Sequence, residues 1–301
     1  MQKVTIVTDS IACLPDEIVE RYGIRVLPIS FYNGSRIYQD GVDITPSEAY
    51  QLFLKAPDSF KTSAVSPGEC FEAYREASKQ TKNILCITIS SKLSAVYSAA
   101  QGAKEQARIG LPQTRIEVMD SQTATAAEGF VVLAAARAAA EGKNLAEVIK
   151  AANKVRSKVN LIAIMETVRY VYRTGRIPKG MARLGSVLDI KPMFTISSGV
   201  LHFVGVVRSK EHGIDRMLKI MRDKVGGDRV HVAVMHAYAM DEAERLKERV
   251  SSEFNCAELW LTEFSPVMGY ACGTGTLGLA FYSEPGHIHT MRTVKSKTRK
   301  D

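Results

Sequence analysis

Cysteine is sparse in this chain of 301 residues: Cys13, Cys70, Cys86, Cys256 and Cys272 are odd in number, far apart and never in a Cys-x-x-Cys pair. That spacing counts against a disulfide framework and fits reduced thiols. Histidine is thin as well. His202, His212, His231, His236, His287 and His289 are not spaced with acids or cysteines as metal ligands are, so no metal is expected. No apolar run is long enough to span a bilayer. The first residues pass straight into a strand pattern without the apolar segment of a secretory signal, from which a cytoplasmic location is expected. No nucleophile has an evident base, and Ser94 lacks the Gly-x-Ser-x-Gly elbow, so a catalytic role finds no motif. Gly273-x-Gly275-x-x-Gly278 has dinucleotide spacing, but no βαβ unit follows it. A glycine turn that lets backbone approach a ligand is the better reading.

What remains is an ordinary globular composition, 46% hydrophobic and 24% charged, at a length that holds two cores. The net charge of +8 raises nucleic acid as a partner. From residue 287 to 301, however, five basic residues stand against one acid, half of that excess. Residues 285–301 are therefore read as a disordered basic tail. A solvated tail is the plainer reading, with contact to anionic lipid or nucleic acid as the alternative. A transient membrane-surface contact is retained, and no nucleic-acid partner is expected.

Periodicity separates two halves. Strand patterns at 4–7, 25–29, 84–89 and 116–119 alternate with helical ones at 15–22, 46–55, 68–80, 93–109, 125–141 and 145–158. Strands separated by helices imply a parallel sheet with crossovers. The second half reads as strand 161–165, helical patterns at 167–174 and near Met181, strands 186–196 and 200–206, helix 210–225, strand 230–236, helix 241–254 and strands 257–262 and 276–282. Tight turns such as Ser198-Gly199 between neighbouring strands point to a mixed sheet. The predicted fold class is α/β with two α/β domains, 1–158 with a parallel sheet and 159–284 with a mixed one.

Two hydroxyl-rich stretches carry the chemistry: Lys61-Thr62-Ser63-Ala64-Val65-Ser66-Pro67 and Ile89-Ser90-Ser91-Lys92-Leu93-Ser94. The second follows an apolar strand and opens a helical pattern. Backbone N–H groups at such a start favour an anion, and Ser or Thr adds donors without charge. This cradle suits a carboxylate or phosphate that is held and not attacked. Thr62 and Ser94 are the leading contacts, with helix capping as the alternative. Asp9 and Asp120, at strand ends, are read as caps of the following turns.

Several motifs occur in a characteristic order. They are Val7-Thr8-Asp9-Ser10, Leu27-Pro28-Ile29 with Tyr38-Gln39-Asp40-Gly41-Val42-Asp43-Ile44, the two hydroxyl stretches, Asp120-Ser121, Tyr170-Val171-Tyr172-Arg173-Thr174-Gly175-Arg176-Ile177, Leu188-Asp189-Ile190-Lys191-Pro192 and Gly273-Thr274-Gly275-Thr276-Leu277-Gly278. In these the chain, to about residue 284, resembles the DegV family of bacterial fatty-acid-binding proteins. The resemblance implies two α/β domains with a long acyl chain between them and no cofactor besides that lipid. It implies a carrier, not an enzyme, which presents the lipid carboxylate to a fatty-acid kinase catalytic subunit for acyl-phosphate formation, as the fatty-acid kinase B subunits do. The implied headgroup contacts are Thr62, Ser63, Ser91 and Ser94, with Arg173 and Arg176 as basic partners near the opening and Ala271 and Gly273 in the C-terminal glycine segment. The alternative is a hydrolase or acyl-transfer enzyme using a Ser or Thr of the same cradle.

Two departures from the family pattern stand out. Ser94-Ala95-Val96 replaces a Ser-Gly-Thr, and Ala271 stands where a histidine often binds the acid group. Tyr270 or a water substitutes there, or the ligand differs. A 16-carbon chain would gain on the order of 10 kcal/mol on burial, at about 0.8 kcal/mol per CH₂. Its lining is expected from the second domain, at Ile164, Met193, Phe194, Val267 and Met268.

Overall fold

A computed structural model of the chain describes residues 3–176 and 190–284. The first half runs β1 (Thr5–Asp9), α1 (Asp16–Tyr22), β2 (Arg25–Leu27), β3 (Ser30–Asn33), β4 (Arg36–Gln39), α2 (Pro46–Lys55), β5 (Phe60–Ser63), α3 (Pro67–Ser78), β6 (Asn83–Thr88), α4 (Val96–Gly110), β7 (Arg115–Asp120), α5 (Thr125–Ala140) and α6 (Leu145–Arg156). Strands β2-β1-β6-β7 form a wholly parallel sheet. Every residue of β1 is buried, as is β6 from Ile84 onward, as expected of parallel strands covered on both faces. Helices α2, α3 and α6 open with reciprocal capping boxes at Thr45/Glu48, Ser66/Glu69 and Asn144/Glu147.

The second half runs β8 (Asn160–Ile164), α7 (Arg169–Arg173), β9 (Lys191–Ser197), β10 (Val200–Val207), α8 (Lys210–Val225), β11 (Arg229–His236), α9 (Met240–Glu253), β12 (Cys256–Glu263), α10 (Pro266–Cys272) and β13 (Leu277–Glu284). Its six-stranded sheet has the order β10-β9-β8-β13-β11-β12. Among the described residues β11 and β12 are its one parallel pair. The α/β class, with a parallel sheet in the first half and a mixed sheet in the second, is the architecture expected from the strand and helix patterns.

Helix α5 joins the two sheets. It is apolar on all sides and buried nearly throughout, which a helix tolerates only when protein surrounds it. It packs on β1 and β6 of the parallel sheet and on β11 and β13 of the mixed one. Phe130 reaches Trp260 at 4.3 Å and Tyr282 at 5.3 Å between ring centroids. A Cβ at Gly129 would lie 2.6 Å from the Ala12 carbonyl, so a residue without one lets α5 approach the turn after β1.

Three features differ from expectation. Strands β4-β3-β5 form a separate antiparallel sheet, packed on α2 through Phe31, Tyr38, Phe53 and Phe60. Helix α4 starts at Val96, because Leu93 and Ser94 donate their N–H groups back to the Ser90 carbonyl as a turn. Helix α10 was not anticipated. The helical pattern near Met181, residues 186–189 of the expected strand and the basic tail 285–301 lie outside the described residues.

Candidate ligand cavity

Residues after β1, β2 and β6 and at the end of β5 meet α7, β9, β10 and α10 around a cavity of about 340 Å³. Ile11, Ile29, Ile89 and Leu93 from the first half face Met165, Val171, Ile196, Leu201, Val267, Met268 and Cys272 from the second. The polar groups in this wall are few: Thr62, Ser63, Thr174, Ser94, Arg176 and Tyr270. A larger hollow of about 790 Å³ lies beside the end of β1, but among the described residues seven carboxylates and no cation line it. Its charge is wrong for an anionic headgroup.

The turn between β6 and α4 positions Ser94. Its Oγ accepts from the Val96 N–H at 3.4 Å, a long bond that leaves the hydroxyl proton available. Thr62 lies on β5 opposite Phe31, and its hydroxyl has no side-chain hydrogen bond among the described residues. Neither is a helix cap: Ser66 fills that role for α3, and α4 has no side-chain cap. Ser63 donates to its neighbour, the Ala64 carbonyl, at 3.2 Å. Arg176 donates from Nε to the Leu93 carbonyl at 3.2 Å and from Nη1 to the Thr174 carbonyl at 2.5 Å, which fixes the guanidinium beside the Ser94 turn. Ala271 is also on the wall.

The other named residues lie elsewhere. Ser91 is exposed and donates to Asp120 Oδ2 at 2.5 Å. Arg173 stacks over Tyr270 at 4.1 Å and Tyr170 at 5.0 Å, and donates to the carbonyls of Pro57 and Tyr270. It braces the wall from behind. Gly273 (φ 85°) also lies behind the wall: a Cβ there would come within 2.3 Å of the Tyr170 ring. Of the expected apolar lining, Val267 and Met268 are in the wall, whereas Ile164, Met193 and Phe194 are packed in the cores. Sequence reasoning missed Ile11, Ile89 and Leu201 as lining residues, and that Val267, Met268, Tyr270 and Ala271 stand on a helix, α10. Ser265-Pro266 was the available signal: Ser265 accepts from the Val267 N–H and proline takes the first helical position.

Beneath the cavity Asp9 is wholly buried. Its carboxylate accepts from the Ile11 N–H at 3.1 Å and the Ile89 N–H at 2.9 Å, so one side chain ties together the backbone of two lining residues. Burial pushes its pKa up to about 7, against the opposing pull of those two amides. Glu128, on α5, is fully buried, and burial followed by the neighbouring Asp9 charge raises its carboxyl well above the ordinary range. Its Oε2 meets no amide, hydroxyl or basic donor among the described residues. The Asp9–Glu128 contact therefore requires a proton on one partner, held by Glu128.

Fold and cavity define an α/β protein of a parallel and a mixed sheet with an amphiphilic ligand space where its halves meet. The chain belongs to the DegV family: the family model, described as an uncharacterised protein of the DegV family, matches residues 3–284. A DegV domain-containing protein of Clostridium perfringens is 31% identical over 283 residues, spanning 93% of this chain and 99% of that protein. One from Streptomyces coelicolor is 33% identical over 283 residues, spanning 93% and 98%. Among solved structures, a DegV family protein from Thermus thermophilus, described by its fatty-acid binding, superposes with a TM-score of 0.85 at 30% identity, covering 94% of this chain and all of that one. DegV of Bacillus subtilis, described as a fatty acid binding protein, has the same fold with a TM-score of 0.85 at 24% identity, covering 94% and 100%.

Proposed function

We propose that this protein is a fatty-acid carrier that buries a long acyl chain in the cavity between its halves. The observation that carries the reading is the composition of that wall: a surface of Ile, Leu, Val and Met interrupted by Thr62, Ser63, Ser94 and Arg176. Apolar walls with a few convergent polar groups are how amphiphiles are held. The Thermus relative, 30% identical and described by its fatty-acid binding, supports the same reading. Thr62 and Ser94 donate to the lipid carboxylate, Ser63 joins them by turning its proton away from the Ala64 carbonyl, and Arg176 offsets the charge. Ser91, Arg173 and Gly273 act indirectly, through the packing around those contacts. With Ala271 in the histidine position, Tyr270 is the neighbouring polar group that can take over.

In this reading the protein does no chemistry itself. It works in the cytoplasm, divides into two domains near residue 158 and presents the carboxylate to a separate fatty-acid kinase. Extraction and native mass spectrometry of the purified chain test the carrier reading. One fatty acid per chain, retained through purification or taken up from added oleate, is expected. A chain that stays empty with oleate present, yet turns over activated esters in a Ser94-dependent way, would replace the carrier with an enzyme.

A further inference from the structure

On the far side of the β9–β10 hairpin lies a second cleft, of about 600 Å³, that the acyl reading leaves unused. The loop after β7, the end of α6 and the start of β8 form one wall, and β9 with α8 forms the other. Among the described residues three cations line it, Arg156, Lys158 and Lys224, and no carboxylate does. Arg156 gives Nη1 to the Asp120 carbonyl at 2.9 Å, and the rest of its fork meets no hydrogen-bond partner among the described residues. Lys158 and Lys224 have no ion-pair partner among the described residues, although Lys219 and Arg222, on the same helix as Lys224, do. Arg156 and Lys224 close helices, where a cation offsets the dipole. A helix end carries about half a charge, so two ends leave most of three full positive charges uncompensated.

The cleft also has hydroxyls and an apolar floor. Ser197, Ser198 and Thr123 are in the wall, with Val159, Val204 and Ile220 below them. Two non-glycine residues on its rim, Gln122 (φ 56°) and Ser198 (φ 50°), are in the left-handed region, a conformation that surrounding structure must enforce. Ser198-Gly199 is the two-residue hairpin turn, held against the first half by Ser90 donating to the Gly199 carbonyl at 2.8 Å and Lys92 donating to the Ser198 carbonyl at 3.0 Å.

We propose that this cleft binds an organic phosphate, with phosphoryl oxygens against Arg156, Lys158 and Lys224 and an apolar or ring-bearing body on Val159, Val204 and Ile220. A concave site of one charge sign concentrates an anion of the opposite sign, and guanidinium and ammonium groups make strong charge-assisted bonds to phosphate. Isothermal titration of the full chain with adenosine triphosphate and with inorganic pyrophosphate, each with and without saturating oleate, keeps this site separate from the acyl cavity. Expected are one saturable triphosphate site per chain in either state, affinity reduced at least about tenfold by Lys158→Glu and again by Lys224→Glu, and weaker pyrophosphate binding. Absence of saturable triphosphate binding, or affinity unchanged in the double variant, overturns the site. Pyrophosphate binding as tight as the nucleotide overturns the role of the apolar floor.

Discussion

Asp9 and Glu128 are two acids in a place where one charge is already costly. Both have pKa values raised by burial, Asp9 to about 7 from an ordinary value near 4. A raised folded pKa means that the folded state holds more protons than the unfolded one. The stability is therefore fully present below the ordinary carboxylate range and is lost as pH rises through the folded values. Glu128→Gln keeps a donor toward Asp9 and cannot ionise. The variant should gain on the wild type as pH rises from about 5 to about 8, by on the order of 2–4 °C in melting temperature at the upper end. A difference that stays flat with pH would mean that Glu128 holds its proton no more tightly in the folded protein than in the unfolded chain. The hydroxyls act on the ligand instead. A hydrogen bond to a carboxylate is worth about 1.5–3 kcal/mol, so Thr62→Ala and Ser94→Ala should each weaken oleate binding by roughly tenfold or more. Their melting temperatures without lipid should stay close to wild type. Unchanged affinity in both would take these two residues out of the site.

Among the secondary-structure elements, the β9–β10 hairpin reaches the first half through its turn. Its turn is fastened by Ser90 and Lys92, while Ile196 and Leu201 beside the turn form part of the acyl wall. Ser90→Ala removes the buried donor to the Gly199 carbonyl, a loss of about 1–3 kcal/mol that falls on the hairpin. Release of a fluorescent fatty acid should then quicken severalfold, read by stopped flow. A release rate equal to wild type would mean that the lipid leaves by another path. This hairpin was legible in the sequence, since Ser198-Gly199 between apolar runs is a turn signal with a known cause. The strands of both main sheets were legible for the same reason, their β-branched runs being bounded by turn residues. The β3–β5 sheet was not. Ser30–Asn33 and Phe60–Ser63 are four residues each, and they are held as strands by pairing across nearly thirty residues and by stacked rings, Phe31 on Phe60 and Tyr38. Local propensity carries no trace of such a contact. The cavity followed the same division. Its hydroxyls stand in recognisable motifs, whereas Ile11, Ile89 and Leu201 became lining residues only when the two halves closed on one another.

For the whole molecule, the question is whether those halves behave as one cooperative unit. Contacts between them are numerous and specific. Arg137 makes a bidentate pair with Glu258 at 3.1 and 2.5 Å, Tyr50 donates to the Phe264 carbonyl at 2.9 Å, Thr262 donates to the Cys13 carbonyl at 2.9 Å and Ser265 donates to Asp40 at 2.6 Å. The Arg137 and His231 contacts hold the Glu258 carboxyl down at about 2 although burial opposes them, so this link loosens only in strong acid. Trp260 is the single tryptophan of the chain and packs, tilted, against Phe130 of the helix shared by both sheets. Its fluorescence therefore reports the junction, while far-ultraviolet circular dichroism reports all helices and strands. The two signals should give the same urea midpoint. A lipid that binds only the closed form adds about 2.7 kcal/mol at one hundred times its dissociation constant. Oleate at that level should move both midpoints upward together. If Trp260 reported an earlier transition that oleate alone moved, the halves would be opening before they unfold, and the junction would be a gate in its own right.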